Sequence, residues 1–247
     1  MGSILTFENV SKSYGSVQAL QSLSFSVPEN KIIGLIGANG AGKSTTMRLI
    51  VRYLRPDSGS ILFRQSPIGN LKNETFPIAY IPDVPIYYEE LSVSEHLSFV
   101  SAMYNTESKK DFLVQRLELK EHLDKVPSML SKGNKQKLSI ACAALRNYEI
   151  LLADEPFSGL DPKQIKVLKD IILENKASGK TVILSTHLLD MIKSFCDEFF
   201  MIDHGKLLVQ GNFEQIIRSN PMCDSLEELY LHLSAAPEAD CFEEGVG

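Results

Sequence analysis

Short apolar-rich runs punctuate the chain at unequal intervals. Ile4–Val10, Leu20–Val27 and Ile61–Phe63 read as strands of a β-rich opening section. Lys31–Ile36 is a compact apolar run that stops at Gly37, the pattern of a buried strand. Asn70 to Asn105 is broken by Pro77, Pro82 and Pro85, and a helix is expected to start inside it at Ser92, with Glu95 three residues on completing a capping box. From there to Tyr148 the pattern is mainly helical, with breaks expected at Pro127 and Gly133. Glu149–Ala153 and Thr181–Ser185 return as short apolar strands. Asp161, Pro162 and Gln164 announce the helix between them as N-cap, first-turn proline and third-position partner. Strand, helix, strand with buried strands predicts a parallel α/β architecture. Ser225 and Glu228 open a last short helix with Leu226, Leu229, Tyr230 and Leu233 on one face, and the chain is expected to be disordered from Ala235 onward.

The 247 residues suffice for a full core without disulfide or metal staples. At 44% hydrophobic and 23% charged, the composition is that of a soluble globular protein. The net charge of −6 is unevenly placed: seven acids and no Lys or Arg lie from Pro221 to Gly247, leaving +1 on the first 220 residues. That balance argues against a surface built to grip nucleic acid. No stretch approaches the roughly 18 apolar residues of a membrane span, and the N-terminus lacks a secretory signal. Met1 to Thr6 fits a loose myristoylation pattern, but the strand reading of the same residues is preferred. Four cysteines (Cys142, Cys196, Cys223, Cys241) stand far apart with no CxxC, which favours reduced thiols over a disulfide or zinc framework.

Two segments carry chemistry. Gly37-Ala38-Asn39-Gly40-Ala41-Gly42-Lys43-Ser44 matches GxxxxGK[ST] between a predicted strand and a predicted helix. Glycines let a backbone curl so that several N–H groups converge on phosphate oxygens, and the following helix adds its positive end. Lys43 is placed to reach the β- and γ-phosphates and Ser44 to ligate Mg²⁺; Asn39 and Thr45 complete the loop. Ile150–Glu155 is a buried strand that delivers Asp154 and Glu155 at its carboxyl end, where ligands bind in open α/β sheets. Asp154 is expected to hold Mg²⁺, usually through water, and Glu155 to orient or deprotonate an attacking water.

Leu130-Ser131-Lys132-Gly133-Asn134-Lys135-Gln136-Lys137 resembles the LSGGQ signature of ABC-type ATPases. Together with the phosphate loop, Asp154-Glu155, Ser158-Gly159-Leu160-Asp161 as a D-loop and His187 as a switch histidine, the order and spacing from about Ile4 to Gly211 are similar to that family. Tyr14-Gly15 resembles its A-loop, whose aromatic ring stacks on adenine. The resemblance implies a P-loop NTPase (RecA-like) α/β core with a β-rich N-terminal subdomain and an inserted helical subdomain at about 84–148. The ATP-binding domain would span 1–220, with an acidic helix and tail at 221–247. Two departures stand out: Asp83 occupies the position of the Q-loop glutamine, and the signature carries Lys132 and Asn134 in place of its second-position glycine and its glutamine. Lys132, Lys135 and Lys137 crowd the start of a helix, where cations oppose its dipole by a few tenths of a kcal/mol each and an arriving anion reverses the sign.

The function implied is ATP hydrolysis coupled to transport, with export as the expected direction. Each ATP is expected to lie between the phosphate loop of one copy and Ser131, Gly133, Asn134 and Asp161 of another, with Lys43 and His187 on the γ-phosphate. Asp83 is a further candidate for Mg²⁺. The partners implied are a second nucleotide-binding domain and an integral membrane permease, with no nucleic acid; the chain would lie peripherally on the cytoplasmic face of the cell membrane. The permease dock is placed in the cleft beside Asp83, among Pro85, Ile86, Tyr87, Tyr88 and Leu91. The competing readings are a soluble ABC ATPase and an ATP-dependent dimerisation switch not coupled to transport.

Overall fold

A computed structural model describes residues 2–235. Apart from Ala235, which closes the last helix, the segment expected to be disordered lies outside the described residues, as does Cys241.

Two sheets organise the molecule. The first is antiparallel and contains β1 (Ser3–Tyr14), β2 (Val17–Pro28), β4 (Ser58–Phe63) and the two-residue β5 (Ser66–Pro67), in the order β2-β1-β4-β5. The second contains β3 (Ile32–Ile36), β6 (Ile78–Ile81), β7 (Ile150–Asp154), β8 (Thr181–Ser185), β9 (Glu198–Asp203) and β10 (Lys206–Gly211), in the order β10-β9-β3-β8-β7-β6. All its pairings are parallel except the antiparallel edge between β9 and β10.

Every residue of β3, β7 and β8 is buried, which explains why these segments read as unbroken apolar runs. The two-residue period still shows in what each face meets. Ile33, Leu35, Ile150, Leu152 and Ile183 join Leu5, Phe7 and Val10 of the first sheet in one core. Ile32, Ile36, Leu151, Val182 and Leu184 join the helices in another. The central sheet is thus sandwiched between a β layer and a helical layer.

The helices are α1 (Lys43–Ile50), α2 (Val93–Tyr104), α3 (Glu107–Arg116), α4 (Lys132–Ala144), α5 (Pro162–Ala177), α6 (Leu189–Lys193), α7 (Phe213–Ser219) and α8 (Leu226–Ala235). The capping boxes expected at Ser92/Glu95 and Asp161/Gln164 are formed, and a third opens α7 at Asn212/Gln215. Pro127 does interrupt the helical stretch, but Gly133 does not: it sits in the first turn of α4. The reason is tertiary. A Cβ on Gly133 would lie 2.7 Å from the Gly159 carbonyl oxygen, so the glycine admits a neighbouring backbone and does not end a helix. Leu226 and Leu229 of α8 are buried against the helical layer together with Cys223 and Ile216.

The strand order decides where chemistry can occur. β8 lies between β3 and β7, and all three run parallel. The loop after β3, the carboxylates ending β7 and the residues after β8 therefore meet at one edge of the sheet. No helix among the described residues is long and apolar enough to cross a membrane.

Candidate functional site

Residues 37–42 leave β3 and wrap over the start of α1. Gly40 and Gly42 take φ of 84° and 110°, in the left-handed region that disfavours side chains. Gly37 is required for a different reason: a Cβ there would lie 2.3 Å from the Ile202 carbonyl oxygen of β9. The start of α1 is left open. Its N-cap is Gly42, no side chain caps it, and no acid lies in its first turn. Thr46 Oγ1 donates to the Gly42 carbonyl at 2.9 Å and ties the loop to the helix.

Lys43 is buried and folds back on its own loop, its Nζ donating to the Gly37 carbonyl at 2.6 Å and the Ala38 carbonyl at 3.0 Å. Burial pulls its pKa below the ordinary lysine value, while Glu155 and Asp154 oppose that shift. Ala38, Asn39, Gly40, Gly42, Lys43, Ser44 and Thr45 line a cavity of about 190 Å³, whose other walls are Asp83, Asp154 and Glu155. An uncapped helix start, a buried ammonium and facing carboxylates suit a polyphosphate with a divalent cation, and Ser44 and Asp154 bring hard oxygen donors into that cavity.

The carboxylates are held by different means. Asp154, 2% exposed, accepts from the Ser185 hydroxyl and lies 3.5 Å from the Tyr80 hydroxyl. Burial first, and the Asp154 charge second, hold the Tyr80 phenol well above its ordinary pKa, so it stays protonated. Glu155 has φ of 46°, a left-handed conformation for a non-glycine residue that costs on the order of 1–3 kcal/mol. Its N–H stabilises the bend by donating to the Ser185 carbonyl at 3.1 Å and to Ser185 Oγ at 3.2 Å. The turned carboxylate meets His187, whose Nδ1 lies 3.0 Å from Oε2. The structure thus brings together Gly37, Asn39, Gly40, Gly42, Lys43, Ser44, Thr45, Asp83, Asp154, Glu155 and His187. Nothing in the local sequence marks Ser185 or Tyr80: each is a polar group in a strand beside β7, and only sheet order shows what it holds.

The remaining expected residues lie elsewhere. Tyr14, 44% exposed, ends β1 opposite Val17 and does not line the cavity. Ser131 caps α4 by accepting from Asn134 N–H at 3.3 Å, and Lys132 Nζ donates to Ser158 Oγ at 2.8 Å, which clamps the signature segment to the D-loop. Asp161 caps α5 by accepting from Gln164 N–H at 2.9 Å. None of Ser131, Gly133, Asn134 and Asp161 lines the phosphate cavity of its own chain. The expected crowd of lysines at α4 is smaller than the spacing implies, because Lys137 is buried and its ammonium turns to Glu118 at 3.9 Å.

Asn134 has a partner that the sequence does not show. Its Nδ2 lies 2.9 Å from His122 Nε2, and Lys125 Nζ lies 3.0 Å from His122 Nδ1. The signature segment is thereby tied to His122 through the Asn134 NH₂.

Beside the cavity runs a groove of about 770 Å³ that shares Ser44, Asp83 and Asp154 with it. Of the five residues expected to anchor a partner there, Ile86 (92% exposed) and Tyr88 (59%) are presented to solvent, joined by Val84 and Phe99. Tyr87 is instead partly buried and donates its hydroxyl to the Lys135 carbonyl of α4, while Leu91 does not line the groove. The reason is packing: Tyr87 fills space against α2 and α4, so its polar end must find a backbone acceptor.

Known proteins share this arrangement. A family model described as ABC transporter matches residues 20–158. The ABC-type transporter ATP-binding protein EcsA of Bacillus subtilis (strain 168) is 35% identical over 243 residues, covering 94% of this chain and 97% of that protein. The lipopolysaccharide export system ATP-binding protein LptB of Haemophilus influenzae is 30% identical over 238 residues, covering 93% and 97%. A solved structure of the ATP-binding subunit of an ABC transporter superposes with a TM-score of 0.86 at 35% identity, covering 94% of this chain and 99% of that one. With its phosphate loop, paired carboxylates and signature segment, the chain belongs to the ABC transporter family as an ATP-binding subunit, an ATPase that powers transport together with a membrane-spanning partner.

Proposed function

We propose that the chain drives export by closing face to face with a second nucleotide-binding domain, each ATP held between the phosphate loop of one copy and Ser131, Gly133, Asn134 and Asp161 of the other. One observation carries this reading: the signature and D-loop residues are positioned and capped, yet none of them lines the cavity of their own chain. Export rather than import follows the related lipopolysaccharide export protein.

Within each site the roles divide by geometry. Lys43, already desolvated, exchanges its two loop carbonyls for phosphate oxygens. Glu155 acts as the base toward water, and His187 holds the Glu155 carboxylate in place until the γ-phosphate draws its ring away. Mg²⁺, when bound by Ser44 and Asp154, supplies charge neutralisation at the phosphates. Asp83, exposed on the wall common to cavity and groove, reports nucleotide state to the partner. Tyr14 stacks on adenine. Closure assembles charge that a single copy lacks, so hydrolysis depends on association.

The groove beside Asp83 receives an apolar segment of the membrane permease on Val84, Ile86, Tyr88 and Phe99, which places the chain peripherally on the cytoplasmic face. Residues 1–220 form the ATP-binding domain with its helical insertion at about 84–148, and 221–247 form the acidic helix and tail. Glu155→Gln should cut phosphate release about 100- to 1,000-fold and trap a dimer with ATP, seen as a doubled mass in size-exclusion light scattering. Ser131→Arg added to that variant should return it to a monomer that still binds a fluorescent ATP analogue. A dimer that survives Ser131→Arg would refute the shared-site arrangement.

A further inference from the structure

The last helix reaches the phosphate loop. Leu226 and Leu229 anchor α8 in the helical core, and the next position carries Tyr230 out to the end of β3. There the Tyr230 hydroxyl accepts the N–H of Ala38 at 2.9 Å and donates to Asp203 Oδ1 at 2.9 Å. The direction of both bonds is fixed, because a backbone N–H only donates and a carboxylate only accepts.

Ala38 N–H belongs to the same peptide unit as the Gly37 carbonyl, which accepts from Lys43 Nζ at 2.6 Å. A trans peptide points its N–H and C=O in opposite directions. One peptide plane is therefore gripped from one side by the phosphate-binding lysine and from the other by Tyr230. The turn after β9 strengthens the grip, with Gly205 N–H donating to the Ala41 carbonyl at 3.0 Å. Tyr230 and Asp203 both lie beyond the matched stretch 20–158.

We propose that Tyr230 is a positioning residue for the ATP site: through the Gly37–Ala38 peptide it sets where Lys43 rests, and so makes α8 part of the phosphate-binding machinery. The proposal rests on the loop binding ATP. Tyr230→Phe keeps the ring in its packing and removes only the hydroxyl. It should raise KM for MgATP, and the Kd of a fluorescent ATP analogue, about three- to tenfold, with kcat within twofold and Tm within about 2 °C of wild type. Asp203→Asn keeps an acceptor for the hydroxyl and should stay within about twofold of wild type. Asp203→Ala should resemble Tyr230→Phe, and the double variant should be no worse than either, because one chain of bonds is cut twice. Unchanged nucleotide affinity in Tyr230→Phe, or additive losses in the double variant, would overturn the proposal. A wild type that binds the analogue without releasing phosphate would count against hydrolysis and leave this inference standing.

Discussion

Helices α1 and α5 begin at the same edge of the central sheet and begin in opposite ways. At α5, Asp161 accepts the Gln164 N–H at 2.9 Å, Gln164 answers from its side chain, and Pro162 removes a donor that would otherwise need a partner. At α1 the cap is a glycine with φ of 110°, no side chain answers the first-turn N–H groups, and the first residue is a buried lysine. One start is satisfied within the chain and serves stability. The other is left open, and what completes it is an anion from outside. Where a fold leaves strong donors without an internal answer beside desolvated charge, binding is the reason.

Paired substitutions test that contrast. Lys43→Ala should weaken binding of a fluorescent ATP analogue about 100-fold while leaving Tm within about 2 °C, since a desolvated ammonium contributes little to folding. A large fall in Tm with intact binding would erase the distinction. Asp161→Ala should do the reverse in the isolated chain, costing about 1 kcal/mol and lowering Tm by about 2–4 °C with nucleotide affinity preserved. A smaller effect is expected from Asp83→Asn, which removes one of three carboxylates facing the cavity. Less repulsion of a polyanion should lower KM for MgATP about two- to threefold; a rise would instead make Asp83 a metal ligand.

The smallest effect is one of pH. Burial first, then Lys125 and Lys137, hold His122 below its ordinary value of 6.5, with Glu121 opposing. The neutral ring beside Asn134 is therefore favoured by folding. Its stabilisation is fully present above about pH 6.5 and is lost as pH falls through the lowered value. Association-dependent ATPase should decline on that acid side in wild type, and His122→Gln should remove this part of the pH profile.

Much of this molecule is legible residue by residue. The glycines and lysine of 37–44, the acids ending β7 and the boxes at Ser92 and Asp161 are local devices whose spacing is their function, and each lies where the sequence predicts. Less legible are β9 and β10, which lack punctuation strong enough to announce them, and α4, where Gly133 reads as a break until the Gly159 carbonyl beside it explains the missing side chain. The groove was half legible: apolar residues between Val84 and Tyr88 mark a surface, but only packing separates the exposed Ile86 and Tyr88 from the bracing Tyr87.

The amino-acid sequence by itself determined the family, the parallel core, the phosphate loop and the identity of its acids, because those depend on spacings of a few residues. The tertiary structure alone decided that Ser185 bends Glu155 toward His187, that His122 meets Asn134, and that Tyr230 reaches Ala38 across 192 positions. Such contacts depend on strand order and on where a distant helix packs, and the chain carries no periodicity that encodes them.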